Sequence, residues 1–302
     1  MKLKVTPLVY FVSLAMILAA LPASLTGARA EDKNAANVSS PVATQGDKAQ
    51  ASQALKQGRA LLKRGKSDQA LERLQTALKI YKQSNSPKGE AAANDALGDL
   101  YMRQGQYAVA LNYYQGAHSA FLNATSSQGA LETTFGMPDN EYNANLMLAK
   151  IGEANYRLGK ASEASAAYGQ MKVEKPDPTK LATGGSTPKK SGGGFGGLGS
   201  IAKNIPGAGG GSGVDKAMAV AGAVKGAIEL YRQSIVYSAH QMGLGRVAYL
   251  NKNYEGSKKH FSEALSTAGM PIIGKFGQSK RVRAAARTSL GDVSLQLNDY
   301  KG

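Results

Sequence analysis

The stretch Leu97-Gly98-Asp99-Leu100-Tyr101-Met102-Arg103-Gln104-Gly105, continued by Tyr107, Ala110, Tyr114 and Ala117, decides how this chain of 302 residues folds. Forty residues earlier the same spacing recurs as Gly58, Leu61, Gly65, Ala70, Leu74 and Ala77. A third copy reads Ile151-Gly152, Gly159, Ala164 and Tyr168. Each copy sets apolar residues at helical spacing on both sides of a Gly-containing turn, which predicts a pair of antiparallel helices. A unit that small cannot bury its own apolar face, so copies must stack on one another. Gly58, Gly98 and Gly152 fall inside the first helix, where Gly costs about 0.5–1 kcal/mol against Ala. Its return in register predicts close helix–helix approach, with Ala70, Ala110 and Ala164 as the facing small surface. Gly65, Gly105 and Gly159 fall where the first helix should end in a left-handed residue.

This pattern resembles the tetratricopeptide repeat (TPR), in its long-helix, forty-residue form. The second copy carries the seven diagnostic positions, Leu97, Gly98, Tyr101, Gly105, Ala110, Tyr114 and Ala117. The first departs at Gln57 and the third at Asn155 and Met171. A fourth copy reads Leu244-Gly245, Ala248, Tyr254, Phe261 and Ala264, with Lys252 in place of the turn Gly and Ser257 in place of the small Ala. A fifth runs from Leu290-Gly291 to Asp299-Tyr300. The resemblance implies an all-α, right-handed solenoid of antiparallel helix pairs, with repeats one to three over 49–171 and further repeat helices over 214–302.

Other segments read differently. Lys2 and Lys4 precede an apolar run from Leu8 to Leu21, and Ala28-Arg29-Ala30 offers small residues for cleavage. Residues 1–30 are therefore expected to be a Sec-type signal peptide that exports the protein to a periplasm or beyond, with an uncleaved anchor as the alternative. The chain has no Cys, so neither a lipid-attachment cysteine nor a disulfide framework is available. Residues 31–48 are polar and aperiodic and read as a disordered lead-in. Extra sequence around 131–140, containing Pro138, lengthens the spacing between the second and third copies to 54 and predicts a protruding connection. Residues 172–213 are low-complexity and Gly-rich, expected as a flexible coil. Ala227-Ile-Glu-Leu-Tyr-Arg-Gln-Ser234 echoes Ala77-Leu-Lys-Ile-Tyr-Lys-Gln-Ser84. Either the Gly-rich stretch interrupts a third repeat that resumes near Gly226, or residues 214–234 form an extra helix. The fifth copy stops before its second helix, which suggests a fragment of a longer protein or a frayed last turn.

Little in the sequence points to catalysis. His118, His240 and His260 lie in different copies without metal-ligand spacing, and no Gly-x-Ser-x-Gly elbow occurs. Gly211-Ser-Gly213-Val-Asp-Lys216 lacks the order of a phosphate loop. The expectation is a non-enzyme without cofactor or metal. The formal net charge of +16, which becomes +13 once Lys2, Lys4 and Arg29 are removed, is compatible with anionic partners or with simple solubility; nothing points to a specific nucleic acid.

The resemblance implies that first helices line a concave groove for protein or peptide segments. Mapped onto that face are Arg59, Leu62 and Lys63, then Asp95, Asp99, Met102 and Arg103, then Glu153, Tyr156 and Arg157, and finally Arg246 and Tyr249. Apolar anchors flanked by charge suit peptide binding. The plainer reading makes Asp99–Arg103 and Glu153–Arg157 i,i+4 pairs that merely support their helices. Acids at Asp95 and Asp99 disfavour the carboxylate clamp of one known subtype. A second candidate is the cluster Lys275, Lys280, Arg281, Arg283 and Arg287, which fits an anionic polymer or membrane surface. The resemblance also implies an alternative, since similar exported arrays sometimes form the sensing arm of a larger enzyme with a caspase-like (CHAT) peptidase domain.

Overall fold

The structure, a computed structural model, describes residues 45–126, 139–178, 213–271 and 273–299. The expected signal peptide, most of the lead-in, the connection around Pro138 and most of the Gly-rich stretch lie outside them. The described residues form nine helices and no strand. These are α1 (Gln45–Lys63), α2 (Ser67–Gln83), α3 (Pro87–Arg103), α4 (Tyr107–Ser126), α5 (Asp139–Arg157), α6 (Ala161–Gly169), α7 (Gly213–Leu250), α8 (Tyr254–Ala268) and α9 (Gly277–Gln296). Consecutive helices pack as pairs and each pair packs on the next, the architecture of an α-solenoid.

The turns follow from one local device. Backbone N–H groups of Lys66, Gln106, Lys160, Asn253 and Asp299 each donate to the carbonyl five residues back, at 2.9–3.0 Å. This closure caps the carbonyls at the end of every first helix and requires a left-handed residue just before the donor. Gly65, Gly105 and Gly159 supply it, with φ of 72–75°. In the fourth and fifth turns Lys252 (φ 58°) and Asn298 (φ 54°) adopt the same conformation without the freedom of glycine. The fourth turn thus forms without a glycine, at a conformational cost carried by Lys252.

The mid-helix glycines pack as their register implies. A Cβ on Gly58 would lie 2.7 Å from Leu74, and one on Gly98 2.4 Å from Tyr114. Gly152 would meet Tyr168 at 2.4 Å and Gly245 would meet Phe261 at 2.5 Å. In each pair the second helix seats one large side chain, sixteen residues after the glycine, directly against the first helix backbone. Leu74, Tyr114, Tyr168 and Phe261 are almost wholly buried, each stabilising its pair by about 1.5–3 kcal/mol. We call these contacts sockets. Tyr168 is gripped twice, since a Cβ on Gly243 of α7 would approach its ring to 2.3 Å. The departures from the repeat pattern also have partners. Ser257 is buried and donates to the Gly245 carbonyl at 2.8 Å, and Asn155 is buried and donates to Ile151 at 3.1 Å.

Two expectations change. Residues 213–250 form one unbroken helix, so 227–234 neither resumes the third repeat nor stands as a separate helix. The third pair is already completed by α6, whose Tyr168 seats against Gly152. The first residues of the expected coil are also tied down. The Lys172 backbone donates to Asn145 at 2.7 Å, and Lys172 and Lys175 pair with Glu141 (2.6 Å) and Glu263 (2.9 Å).

Candidate functional site

The first helices α1, α3, α5 and α7 carry the residues expected to line a groove, and the fold brings most of them together. Arg59 on α1 donates to the Ala92 carbonyl at 3.0 Å and lies 3.6 Å from Asp95 on α3. Asp95 and Asp99 share the ammonium of Lys150 on α5, at 2.5 and 2.7 Å. Asp99 also accepts the Tyr114 hydroxyl at 2.9 Å. Farther along, Glu153 on α5 pairs with Arg157 at 2.9 Å and with Arg246 on α7 at 2.6 Å. Both guanidinium groups lie within 6 Å of the Tyr156 ring centroid, a distance at which cation–π attraction operates.

These pairs run between successive helix pairs, not only along one helix. Glu153–Arg157 does form the i,i+4 pair that the spacing allows. Asp99–Arg103 does not: Asp99 turns to Lys150 and Tyr114, while Arg103 donates to the Leu62 carbonyl at 2.9 Å. Leu62 sits in the last turn of α1, so Arg103 places a cation at the negative end of that helix. Leu62 itself is buried in the core and is not on the open face. Lys63 is exposed and has no ion pair among the described residues. Met102, Tyr156 and Tyr249 are half-buried, leaving apolar edges between the charges, and Tyr249 packs edge-on against Tyr254 at 5.5 Å.

The electrostatics follow the pairing. Burial pushes the Lys150 ammonium down, but Asp95 and Asp99 together outweigh it and hold its pKa above the ordinary lysine value. Burial and the neighbouring Asp99 carboxylate push the Tyr114 phenol well up, so it stays a proton donor at any working pH. Burial likewise raises Tyr168, opposed by the Arg246 guanidinium beside it. Neither proton is poised for transfer near neutrality. Lys150 is the main residue that sequence reading missed. Its signal was present, because a lone Lys two residues before Gly152 complements the acids three before and one after Gly98.

The second candidate cluster lies at the start of α9, as its position in the sequence implies. Lys275, Lys280, Arg281 and Arg287 are exposed and have no acidic partner among the described residues. Arg283 is half-buried and reaches the Gly274 carbonyl at 3.4 Å. Phe276, 48% exposed, sets its ring at a tilt to that of Tyr231, centroids 4.8 Å apart, beside them. The histidines stay apart from any ligand set, and no group of three or more His, Cys, Asp or Glu side chains among the described residues is placed to hold a metal.

Residues 50–123 match the tetratricopeptide repeat family. The match covers the first two helix pairs and supports a tetratricopeptide-type protein, whose repeats serve as protein-interaction scaffolds. No curated protein matches the chain. The sockets extend the repeat beyond the matched residues. Gly152–Tyr168 and Gly245–Phe261 repeat the geometry of Gly58–Leu74 and Gly98–Tyr114 at the same separation.

Proposed function

We propose that this chain is an exported, non-enzymatic scaffold that binds a protein or peptide segment along the face formed by α1, α3, α5 and α7. The row Met102, Tyr156 and Tyr249, half-exposed and flanked by charge, carries the reading. Such a row offers apolar anchors for affinity and fixed charges for orientation. The charges are pre-organised by one another, so they can present a defined pattern without losing side-chain freedom on binding. Export rests on the N-terminal residues 2–30.

The test is affinity capture by the intact chain, compared with Lys63→Glu/Arg157→Glu. Lys63 has no ion pair to lose among the described residues, and Glu153 keeps Arg246 when Arg157 is reversed. Reversal at these two sites is therefore expected to cost within about 1 kcal/mol of stability, as for other exposed pairs. Captured protein should fall sharply while the melting temperature changes little. Undiminished capture removes this face.

A second reading is favoured by the unpaired cations Lys275, Lys280, Arg281 and Arg287 beside Phe276, which suit an anionic surface. Sedimentation with anionic vesicles should then decrease steeply as salt rises from about 0.05 to 0.5 M, because the attraction is screened within about a Debye length. Salt-independent sedimentation rules it out.

A further inference from the structure

The charges on the face formed by α1, α3, α5 and α7 balance at one end and not at the other. Toward α1, Arg59 and Lys150 share Asp95 and Asp99, so two cations meet two acids. Between α5 and α7 the ratio changes. Arg157 and Arg246 both address Glu153, which sets a single carboxylate against two guanidinium groups among the described residues. Glu153 lies beneath, 16% exposed, while the Arg157 side chain is 50% exposed. What this cluster presents to the open side is therefore cation.

The two forks are also under-used. Arg157 engages Glu153 through Nε alone, so both its terminal nitrogens keep their N–H donors free among the described residues. Arg246 holds its ion pair to Glu153 Oε2 at 2.6 Å without an aligned hydrogen bond, and that oxygen accepts none. A guanidinium fork matches a carboxylate through two parallel hydrogen bonds, and such charge-assisted pairs are roughly twice as strong as neutral ones. Both guanidinium carbons lie over the Tyr156 ring, 5.8 and 5.9 Å from its centroid, which ties the forks to one aromatic platform. Apolar anchors lie on both sides, Met102 on α3 and Tyr249 one turn beyond Arg246. A segment that uses both anchors passes the forks in mid-chain, so the group it offers them is a side chain and not a chain end.

We infer that this groove takes an acidic peptide segment, one Asp or Glu side chain of which is seated on the free forks of Arg157 and Arg246. The inference rests on the groove reading and adds the chemistry of the occupant. One incoming carboxylate brings the cluster to two cations and two anions, the balance already built from Arg59, Lys150, Asp95 and Asp99. A phosphate group, with a charge of about −1.5 to −2 at neutral pH, overshoots that balance beside Glu153. Lys63, exposed and without an ion pair among the described residues, adds a further cation toward α1 and favours the same sign of ligand.

The test is selection by the intact chain from a randomised linear peptide library, displayed with its C-terminus fused to the carrier so that only side-chain carboxylates are offered. Enriched peptides are expected to share an Asp or Glu at one fixed position beside an apolar residue. A synthetic, fluorescein-labelled and C-terminally amidated copy of the best peptide is then titrated with the chain and followed by anisotropy. Arg157→Gln in the chain and acid-to-Gln in the peptide should each weaken binding about tenfold, and the two together no more than either alone. Arg73→Gln, which removes an exposed cation on α2, should change nothing. Undiminished binding by Arg157→Gln, or additive losses, overturns the proposal. Tighter binding of a peptide with phosphoserine in place of the acid assigns the forks to phosphate and overturns it too. Enriched peptides without a shared acid also overturn it; if Met102→Ala or Tyr249→Ala weakens them the groove itself stands, and if neither does the groove falls as well. Absence of any enriched peptide removes the groove, and the acidic ligand with it.

Discussion

A glycine inside a helix is ordinarily a weakness, and here its sign depends on what stands opposite. Gly98→Ala and Gly152→Ala each press a methyl group to within 2.4 Å of a tyrosine ring. Each is expected to destabilise the chain by about 1–3 kcal/mol, the usual range for overpacking. Gly291→Ala meets open space and should stabilise by about 0.5–1 kcal/mol, since alanine restricts the unfolded chain and favours the helix. Urea denaturation of the three variants checks both signs together. Lys252 supplies a complementary case, because a lysine at φ 58° carries strain that glycine lacks. Lys252→Gly should raise stability by about 1 kcal/mol, within the left-handed penalty for residues with a Cβ. The socket glycines were legible from the sequence because they return in register with small and large apolar residues. Gly243 was not, because it grips Tyr168 across the junction between α6 and α7, and no fixed spacing connects those two positions.

At the level of elements, charge couples neighbouring pairs. Lys150 bridges α5 to Asp95 and Asp99 on α3, with its side chain 32% exposed. Lys150→Ala should destabilise by about 1.5–3 kcal/mol, as for hydrogen bonds to charged groups, and leave two carboxylates facing each other. Acid should loosen α4, α7 and α8 through histidine. Burial lowers the pKa values of His118, His240 and His260; His260 adds to the effect on His240, and Lys259 to that on His260. The unfolded chain, with ordinary imidazole pKa values near 6.5, then binds these protons before the folded one. Stability from this source is complete above about pH 6.5 and declines as pH falls toward the folded values. Glu263, held below the ordinary range chiefly by its hydrogen bond from Lys175, adds a further loss at lower pH. Melting temperature should fall between about pH 7 and 5, and a His118→Gln/His240→Gln/His260→Gln variant should fall less; equal slopes would contradict the assignment. Helix existence was legible from apolar spacing alone. The continuity of α7 was not, because the stretch 213–234 extends a first helix beyond the repeat unit and no repeat period constrains it.

Across the described molecule, one contact recurs with changing chemistry. Leu74, Tyr114, Tyr168 and Phe261 occupy equivalent sockets, and in one of them Asp99, the residue after the glycine, accepts the Tyr114 hydroxyl. Candidate binding residues were legible as a row, because repeat register fixes which side of each first helix they share. Their mutual pairing was not: Arg103 reaches back to Leu62 and Arg246 to Glu153 across helix pairs, a consequence of stacking distance that spacing along the chain does not encode. The most direct measurement of the central claim, that each pair is held by a large side chain seated on a bare backbone, is a double-mutant cycle on Gly98 and Tyr114. The account predicts that Gly98→Ala costs about 1–3 kcal/mol in the native background and nothing, or a slight gain, once Tyr114→Ala has emptied the socket. Equal effects of Gly98→Ala in both backgrounds would contradict it.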